Sequence, residues 1–260
     1  VLVLSEHTMS WKVIFRAWNR REEGLPMSSL RQLQRWAEIA FEQTIINMRK
    51  ERLIPCSASG SVTEPRAASN MFELLSAILR RHRREQGNTG FEKVFSNYAA
   101  FCYIWGFGGD LPLASRPRFE AIARAFIDLY IGDFPAHGSI FDFMPDSGGG
   151  FILPVHMQSQ PTMMTLAALA PEMPLYAPTV QNIVSTYILQ VLFALGHNVL
   201  VTGERGSGKS LMVQQFLRRR KYEETQPEEL YVTAVMRLHS GTDALVMQHT
   251  IESALEPMRR

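Results

Sequence analysis

Apolar residues recur at steps of three or four through most of the first 130 positions, and this spacing predicts an all-helical region. The first predicted helix carries its apolar residues on one face between positions 30 and 48. Ser29 and Gln32 have the spacing of a capping box at its start. Pro55 is expected to end it, because proline lacks the backbone N–H that a helix interior needs.

Three further helices are predicted before position 131. Ser69 is the expected cap of the second, which ends in the basic run RRHRR before Gly87, as suits a helix C-terminus. We favour a solvated helix end for this run over a site for phosphate or an acidic partner. The third helix is expected to break at the glycines that begin at Gly106, and Ser115 is expected to open the fourth. The side chains predicted to face a core, rather than to line a pocket, are Met71, Leu74, Leu75, Ile78, Phe91, Val94, Phe95, Tyr98, Cys102, Trp105, Phe119, Ile122, Phe126 and Tyr130.

The amino-acid composition changes from Gly132 to Pro178, where glycine and proline are frequent. A loop of this length is unusual inside one compact domain. We therefore interpret the segment as a connection between two domains, with short ordered pieces around Ser139 to Met144.

After Pro178, helical and strand-like patterns alternate. Helices are predicted at 180–195 and 210–220, and the apolar runs at 198–202 and 230–236 are candidate buried strands. Thr242 is the expected cap of a last helix. The residues of this helix that are predicted to face inward are Ala244, Met247, Ile251 and Leu255. The sequence thus predicts a mixed fold, with an all-α N-terminal region followed by the beginning of an α/β domain.

Composition narrows the functional classes. The 260 residues have a net charge of +2, with 46% hydrophobic and 20% charged residues, which is typical of globular domains. The small net charge does not favour nucleic acid or an anionic membrane as a partner, and no apolar run is long enough to predict a transmembrane helix. Cys56 and Cys102 lie far apart, so neither a disulfide framework nor a zinc site is expected. The first residues lack the features of a signal peptide, and we expect the chain to be part of a longer one.

One motif carries specific chemistry. The stretch GERGSGKS, from Gly203 to Ser210, has the form G-x-x-x-x-G-K-[ST], which is informative where a strand precedes it and a helix follows. Both elements are predicted here. Its glycines let the backbone adopt positive φ and approach a phosphate closely, and successive N–H groups at a helix N-terminus bind anions. We therefore predict a phosphate loop that binds a nucleotide.

Each part of the motif has an expected role. Lys209 would reach the β and γ phosphates, and the Ser210 hydroxyl would be a ligand of Mg²⁺. Glu204 and Arg205 fill variable positions and are expected to face outward. The residues predicted to form this part of the nucleotide site are Gly203, Glu204, Arg205, Gly206, Ser207, Gly208, Lys209, Ser210 and Leu211.

Hydrolysis would need more than the motif supplies. Enzymes of this kind also hold the metal with an acidic residue at the end of an apolar strand. No apolar strand that ends in an acid is predicted after Ser210, and we interpret Glu223, Glu224 and Asp243 as solvated. We therefore predict no catalytic residues in this chain and negligible hydrolysis of ATP by the chain alone.

Five passages together carry a resemblance to a known family. They are YIWGFGGDLPLASRPRFE at 103–120, GSIFDFMPD at 138–146, APTVQNI at 177–183, GHNVLVTGERGSGKS at 196–210, and the run formed by Thr242, Ala244, Gln248, Ile251, Glu252 and Leu255. In this order and spacing they resemble the dynein heavy chain, from the end of its second AAA+ module into the start of its third. The sequence departs from the family at Gln181 and Asn182, where Asp-Thr is usual, and at MRLHS, where the family has Phe-Ser-Ala.

The resemblance implies a domain organisation and a ligand. Residues 1–131 would be the helical lid of the second module, 132–176 a connector between modules, and 177–260 the N-terminal part of the third P-loop α/β module. The bound nucleotide would be ATP or ADP with Mg²⁺. Ala177, Pro178 and Thr179 would lie beside its adenine.

The resemblance also implies partners and a location. The chain would belong to a six-membered AAA+ ring, in contact with neighbouring modules of the same heavy chain, and the third module would regulate the first. Intermediate chains, light chains and microtubules would be partners of the full-length motor, and no nucleic acid or membrane partner is expected. We expect a cytoplasmic, cytoskeletal location, in the axoneme of a cilium or flagellum, because most members of this family are axonemal.

Two alternatives stay open. The site could be a regulatory or structural nucleotide-binding module without turnover, or the chain could be an unrelated P-loop protein with a helical scaffold. An apolar strand ending in Asp-Asp or Asp-Glu further along the parent chain would favour an ATPase.

Overall fold

The computed structural model describes residues 10–22, 25–53, 64–87, 91–130, 134–146, 148–154, 179–222 and 233–255. The chain divides into two compact units, Val1–Ser207 and Gly208–Arg260. In the described part of the first unit, a bundle of helices surrounds an aromatic-rich core. We describe each unit separately.

Helix α1 (Trp11–Arg21) opens the first unit. Its buried residues Trp11, Phe15 and Trp18 follow a helical period, so one face of α1 enters the core. Both ends of the helix are tied to a later helix: the Trp11 N–H donates to Glu64 Oε1 at 3.0 Å, and the Trp18 indole donates to Ser76 Oγ at 2.7 Å. The sequence predicted a helical region here but did not resolve α1 as a separate helix.

The second helical stretch is continuous but changes its winding. It consists of α2 (Met27–Ile39), a π-helical turn (Ala40–Thr44) and α3 (Ile45–Lys50). The predicted helix over 30–48 is therefore confirmed. The capping box at Ser29 is wrong, because the helix starts after Pro26 and Ser29 lies buried in its first turn. Pro55 lies outside the described residues.

Helices α4 (Glu64–Gln86) and α5 (Phe91–Gly108) form the centre of the first unit. Helix α4 begins five residues before the predicted cap Ser69, with Pro65 in its first turn, where proline is tolerated. It ends as predicted: Gly87 has φ 66°, and its N–H donates to the Arg83 carbonyl at 3.1 Å. All four predicted core residues of α4 are buried.

The glycines of α5 have a role that the sequence did not predict. The helix continues through Gly106 and ends at Gly108, so the predicted break falls within the glycine cluster but not at its first glycine. A Cβ added to Gly106 would lie 2.8 Å from Met71 Cβ, and one added to Gly108 would lie 2.5 Å from the Phe119 ring. These glycines therefore allow close packing against the neighbouring helices.

A short connector and a hairpin follow. Helix α6 (Arg116–Tyr130) comes after a 3₁₀ turn (Leu113–Ser115) and buries Phe119 and Phe126 as predicted. A second 3₁₀ turn (Ile140–Asp142) leads to two antiparallel strands, β1 (Met144–Pro145) and β2 (Phe151–Ile152), in which Met144 pairs with Ile152. The prediction of short ordered pieces around Ser139 to Met144 is confirmed.

Helix α7 (Val180–Phe193) completes the described helices of the first unit. It packs against α4 and buries Val184 and Val191. Gly196 has φ 73°, and the His197 N–H donates to the Leu192 carbonyl at 3.1 Å, which closes the helix end. The predicted helix over 180–195 and its stop at Gly196 are confirmed.

The second unit has two described helices, α8 (Lys209–Tyr222) and α9 (Ala244–Leu255). The predicted cap Thr242 is wrong by one residue: Asp243 Oδ1 accepts from the Val246 N–H at 2.9 Å, while Thr242 Oγ1 accepts from the His239 N–H. No residue of α9 is buried, so the predicted inward face is exposed.

The two predicted strands are not formed in the part of the chain that the structure describes. Residues 198–202 have no regular structure, and Leu200 is 83% exposed. Residues 233–236 are likewise irregular, and 230–232 lie outside the described residues. A strand is stabilised by hydrogen bonds to a neighbour, and no described segment pairs with either run. No described helix is both long and apolar enough to span a bilayer.

The packing of α4 predicts a large difference between two identical substitutions. Leu75 is fully buried in α4, whereas Leu129, in α6, is 75% exposed. Leu75→Ala is expected to lower the free energy of unfolding by about 2–5 kcal/mol, because it removes buried apolar surface and leaves a cavity. Leu129→Ala is expected to change it by no more than about 0.5 kcal/mol. Urea denaturation followed by circular dichroism measures both, and equal effects would contradict the described core.

Candidate functional site

The start of α8 is the part of the phosphate-loop motif that lies in the second unit. Gly208 has φ 81°, in the left-handed region, and α8 begins at the next residue, Lys209. The Gly208 carbonyl accepts from the Met212 N–H at 2.9 Å, which is the first hydrogen bond of the helix. The glycine thus turns the chain into the helix, and the N–H groups of the first turn are directed away from the helix body.

The remainder of the motif lies in the first unit and forms a tight turn. The Ser207 hydroxyl donates to the Glu204 carbonyl at 2.9 Å, and the Ser207 N–H approaches the same oxygen at 3.4 Å. Gly206, inside the turn, has φ 79°, and Gly203 has φ 150°. All three motif glycines therefore have the positive φ that was predicted for them.

The motif is accessible to solvent. A Cβ added to Gly206 or Gly208 would meet no heavy atom within 4 Å, so these glycines are not explained by close packing of the chain. Glu204, Arg205 and Ser210 are exposed, while Lys209 is half-buried. Met212 and Phe216, on α8, are buried.

An ionic cluster fixes the segment that leads into the motif. His197 Nε2 lies 3.4 Å from Glu73 Oε2 on α4, and Arg21 on α1 contacts the other oxygen of Glu73. His197 thereby joins the end of α7 to α4, and Glu73 connects this contact to α1. This cluster could not be predicted from the sequence, because its members lie far apart along the chain.

Of the three residues predicted to lie beside the adenine, Thr179 is among those that the structure describes. Thr179 is the N-cap of α7, and its Oγ1 accepts from the Asn182 N–H at 3.2 Å. Ala177 and Pro178 lie outside the described residues. Leu211 is half-buried in the first turn of α8.

The described residues contain no group of three or more side chains that could hold a metal ion by themselves. The exposed hydroxyl of Ser210 is the one metal ligand that the motif predicts, and it lies in the first turn of α8. A single hydroxyl fits Mg²⁺ only if phosphate oxygens and water supply the other ligands, as is usual for this ion.

Two family models match successive parts of the chain. Residues 38–151 match the dynein heavy chain AAA lid domain, and residues 169–260 match the P-loop containing dynein motor region. The chain belongs to the dynein heavy chain family. The predicted fold class, a helical lid followed by the beginning of a P-loop α/β module, is confirmed by these matches.

Similar dynein heavy chains come from animals and a green alga. Dynein axonemal heavy chain 8 of Homo sapiens is 23% identical over 98% of this chain. Dynein axonemal heavy chain 6 of Homo sapiens is 27% identical over 66% of the chain and 4% of its own length. The Dynein-1-beta heavy chain of the flagellar inner arm I1 complex of Chlamydomonas reinhardtii is 26% identical over 60% of the chain and 3% of its own length. The chain spans about 5% of the length of the first two curated relatives it matches.

The backbone of Gly208 yields a prediction. Gly208→Ala is expected to destabilise the start of α8 by about 1–2 kcal/mol, because an L-residue is strained in the left-handed region even where space is open. Amide hydrogen exchange at residues 212–215, whose N–H groups donate the first hydrogen bonds of α8, would then accelerate by roughly five- to thirtyfold. Gly241→Ala is the matched control, since a Cβ there would make only ordinary contacts. Equal exchange in both variants would contradict the left-handed conformation of Gly208.

Proposed function

We propose that this dynein heavy chain segment binds the phosphates of ATP or ADP, together with Mg²⁺, at the loop from Gly203 to Ser210. The observation that carries the proposal is the conformation of Gly206 and Gly208 immediately before α8: both are left-handed, with open space where a Cβ would stand. Such a backbone directs successive N–H groups toward an anion, and the helix N-terminus adds its dipole.

The side chains of the motif have different roles in binding the nucleotide. Lys209 supplies a compact positive charge for the β and γ phosphates, and the Ser210 hydroxyl supplies one oxygen ligand to Mg²⁺. Glu204 and Arg205 stay in solvent at the outer edge of the loop. Thr179 and the two residues before it form the adenine side.

At the level of the whole protein, the proposal is a microtubule motor ATPase. Residues 1–131 are the helical lid of its second AAA+ module, 132–176 the connector, and 177–260 the start of its third module, which regulates the first. The partners are the neighbouring modules, the intermediate and light chains, and microtubules. The axonemal and flagellar relatives support a place in the axoneme of a cilium or flagellum.

The role of Lys209 is open to a direct test. Lys209→Ala is expected to weaken the binding of a fluorescent ATP analogue to this chain by about 10- to 100-fold, because a charge-assisted contact of about 1.5–3 kcal/mol is lost. Lys50→Ala, which removes an exposed lysine at the end of α3, is the control and should leave binding unchanged. Unchanged affinity in Lys209→Ala would refute the phosphate-loop assignment.

Binding and turnover are separable in this chain. We expect the 260-residue chain to bind nucleotide but to release phosphate from ATP no faster than buffer, since no apolar run after Ser210 leads into an acidic residue that could hold the metal. A phosphate-release assay at saturating ATP and Mg²⁺ measures this. Release that disappears in Lys209→Ala would show that the chain is itself an ATPase.

A further inference from the structure

A cavity of about 330 Å³ lies in the first unit, between α4, α5, α7 and the β1–β2 hairpin. Its volume is at the lower end of the range for small-molecule sites, roughly 300–1,000 Å³. None of its lining residues belongs to the phosphate-loop motif. The cavity is therefore independent of the nucleotide site proposed above.

The walls of the cavity are aromatic and aliphatic. Tyr98 and Tyr187 are both buried, and Ile78 and Met144 add apolar surface beside them. The Tyr98 hydroxyl lies 3.0 Å from His82 Nδ1, so the polar end of this tyrosine is already held by the protein. A ligand in the cavity would therefore contact mainly aromatic ring faces and alkyl groups.

Among the carboxylate and guanidinium groups that line the cavity, negative charges outnumber positive ones. Glu85 and Asp146 bring two carboxylates, and Arg81 brings one guanidinium. Burial, together with the negative charges of Asp146 and Glu85, raises the pKa of Tyr98 to about 12, so both carboxylates act electrostatically on the interior of the cavity. Glu85, Asp146 and Arg81 together contribute one net negative charge to the lining.

One carboxylate is neutralised internally. Arg81 Nε donates to Glu85 Oε1 at 2.8 Å, and the Arg81 guanidinium lies 5.4 Å from the centre of the Tyr187 ring. The protein thus already places a cation between an aromatic face and a carboxylate at this site. Asp146 has a different environment: its Oδ1 accepts from the Gly150 N–H at 2.7 Å, and no ion pair is formed with it among the described residues.

We propose that this cavity binds a small organic cation, an ammonium or guanidinium group on a short apolar stem, with the charge at Asp146 and the stem against Tyr187 and Met144. The second oxygen of Asp146 is available to accept from such a group. An anionic ligand would face two carboxylates and one guanidinium and is disfavoured. The same chemistry is present in free alkylamines and in the side chain of a lysine or arginine from a protein segment.

The first experiment needs no variant. Butylammonium, n-butanol and butyrate have nearly the same size and differ in charge. Each is titrated into the 260-residue chain labelled with ¹³C at the methionine methyls, and the Met144 signal, assigned from its loss in Met144→Leu, is followed by NMR. Butylammonium is expected to shift this signal with a Kd on the order of 1–10 mM, while butanol and butyrate bind at least about fivefold more weakly. Equal binding of all three, or no shift with butylammonium, overturns the proposal.

Two matched variants locate the charge contact. Asp146→Asn keeps the size of the side chain and its acceptor for the Gly150 N–H but removes the charge, and it is expected to weaken butylammonium binding about three- to tenfold. Asp128→Asn makes the same change on the exposed face of α6, outside the cavity, and should have no effect. Loss of the preference for butylammonium over butanol in Asp146→Asn supports the site. Retention of that preference overturns it, and circular dichroism checks that both variants are folded.

A final comparison distinguishes the two sources of the cation. A blocked Gly-Lys-Gly peptide carries the same butylammonium group on a backbone, and its acetyl-lysine form lacks the charge. If the lysine peptide shifts the Met144 signal as butylammonium does and the acetylated peptide does not, the site accepts a protein side chain. If only free butylammonium binds, the site takes a free amine.

Discussion

Helix α4 has to bury most of its circumference, and the arrangement of the first unit depends on that constraint. It contacts α1, α5 and α7, and its buried residues are distributed around the helix rather than on one stripe. Such burial demands close approach on several sides. The approach to α5 is possible because Gly106 presents no side chain toward Met71, and the approach to α1 is fixed by the hydrogen bond between Trp18 and Ser76.

The parts of the fold that the sequence predicted correctly are those with a local cause. The period of Met71, Leu75 and Ile78 located one face of α4, and Gly87 marked its end, because helical periodicity and a left-handed C-terminal residue are properties of neighbouring positions. The predictions for Gly106 and for residues 198–202 were wrong for a common reason. Whether a glycine breaks a helix, or an apolar run pairs as a strand, depends on what lies across from it in space.

The phosphate loop and the cavity also differ in how far the sequence predicts them. The phosphate-loop backbone was predictable, since a run of eight residues specifies its turn and the start of α8. The cavity was not, because its two carboxylates come from Glu85 on α4 and Asp146 at the end of β1, and nothing in their separate contexts indicates a common site. The ion cluster at His197 was hidden for the same reason. Which polar groups meet across the fold depends on how the helices pack. The pattern along the sequence predicts which residues are buried, but not which distant polar residues come into contact.

Glu73 is the residue that holds the cluster at His197 together. This one carboxylate receives Arg21 from the first helix and His197 from the segment that leads into the phosphate loop. Three residues that lie more than fifty positions apart, as Arg21 and Glu73 do, thus share a single electrostatic junction. Replacement of Glu73 removes the one acceptor that Arg21 and His197 share, whereas replacement of Arg21 or His197 leaves the other still in contact with Glu73. The contact between these distant segments therefore depends on Glu73 more than on either of its partners.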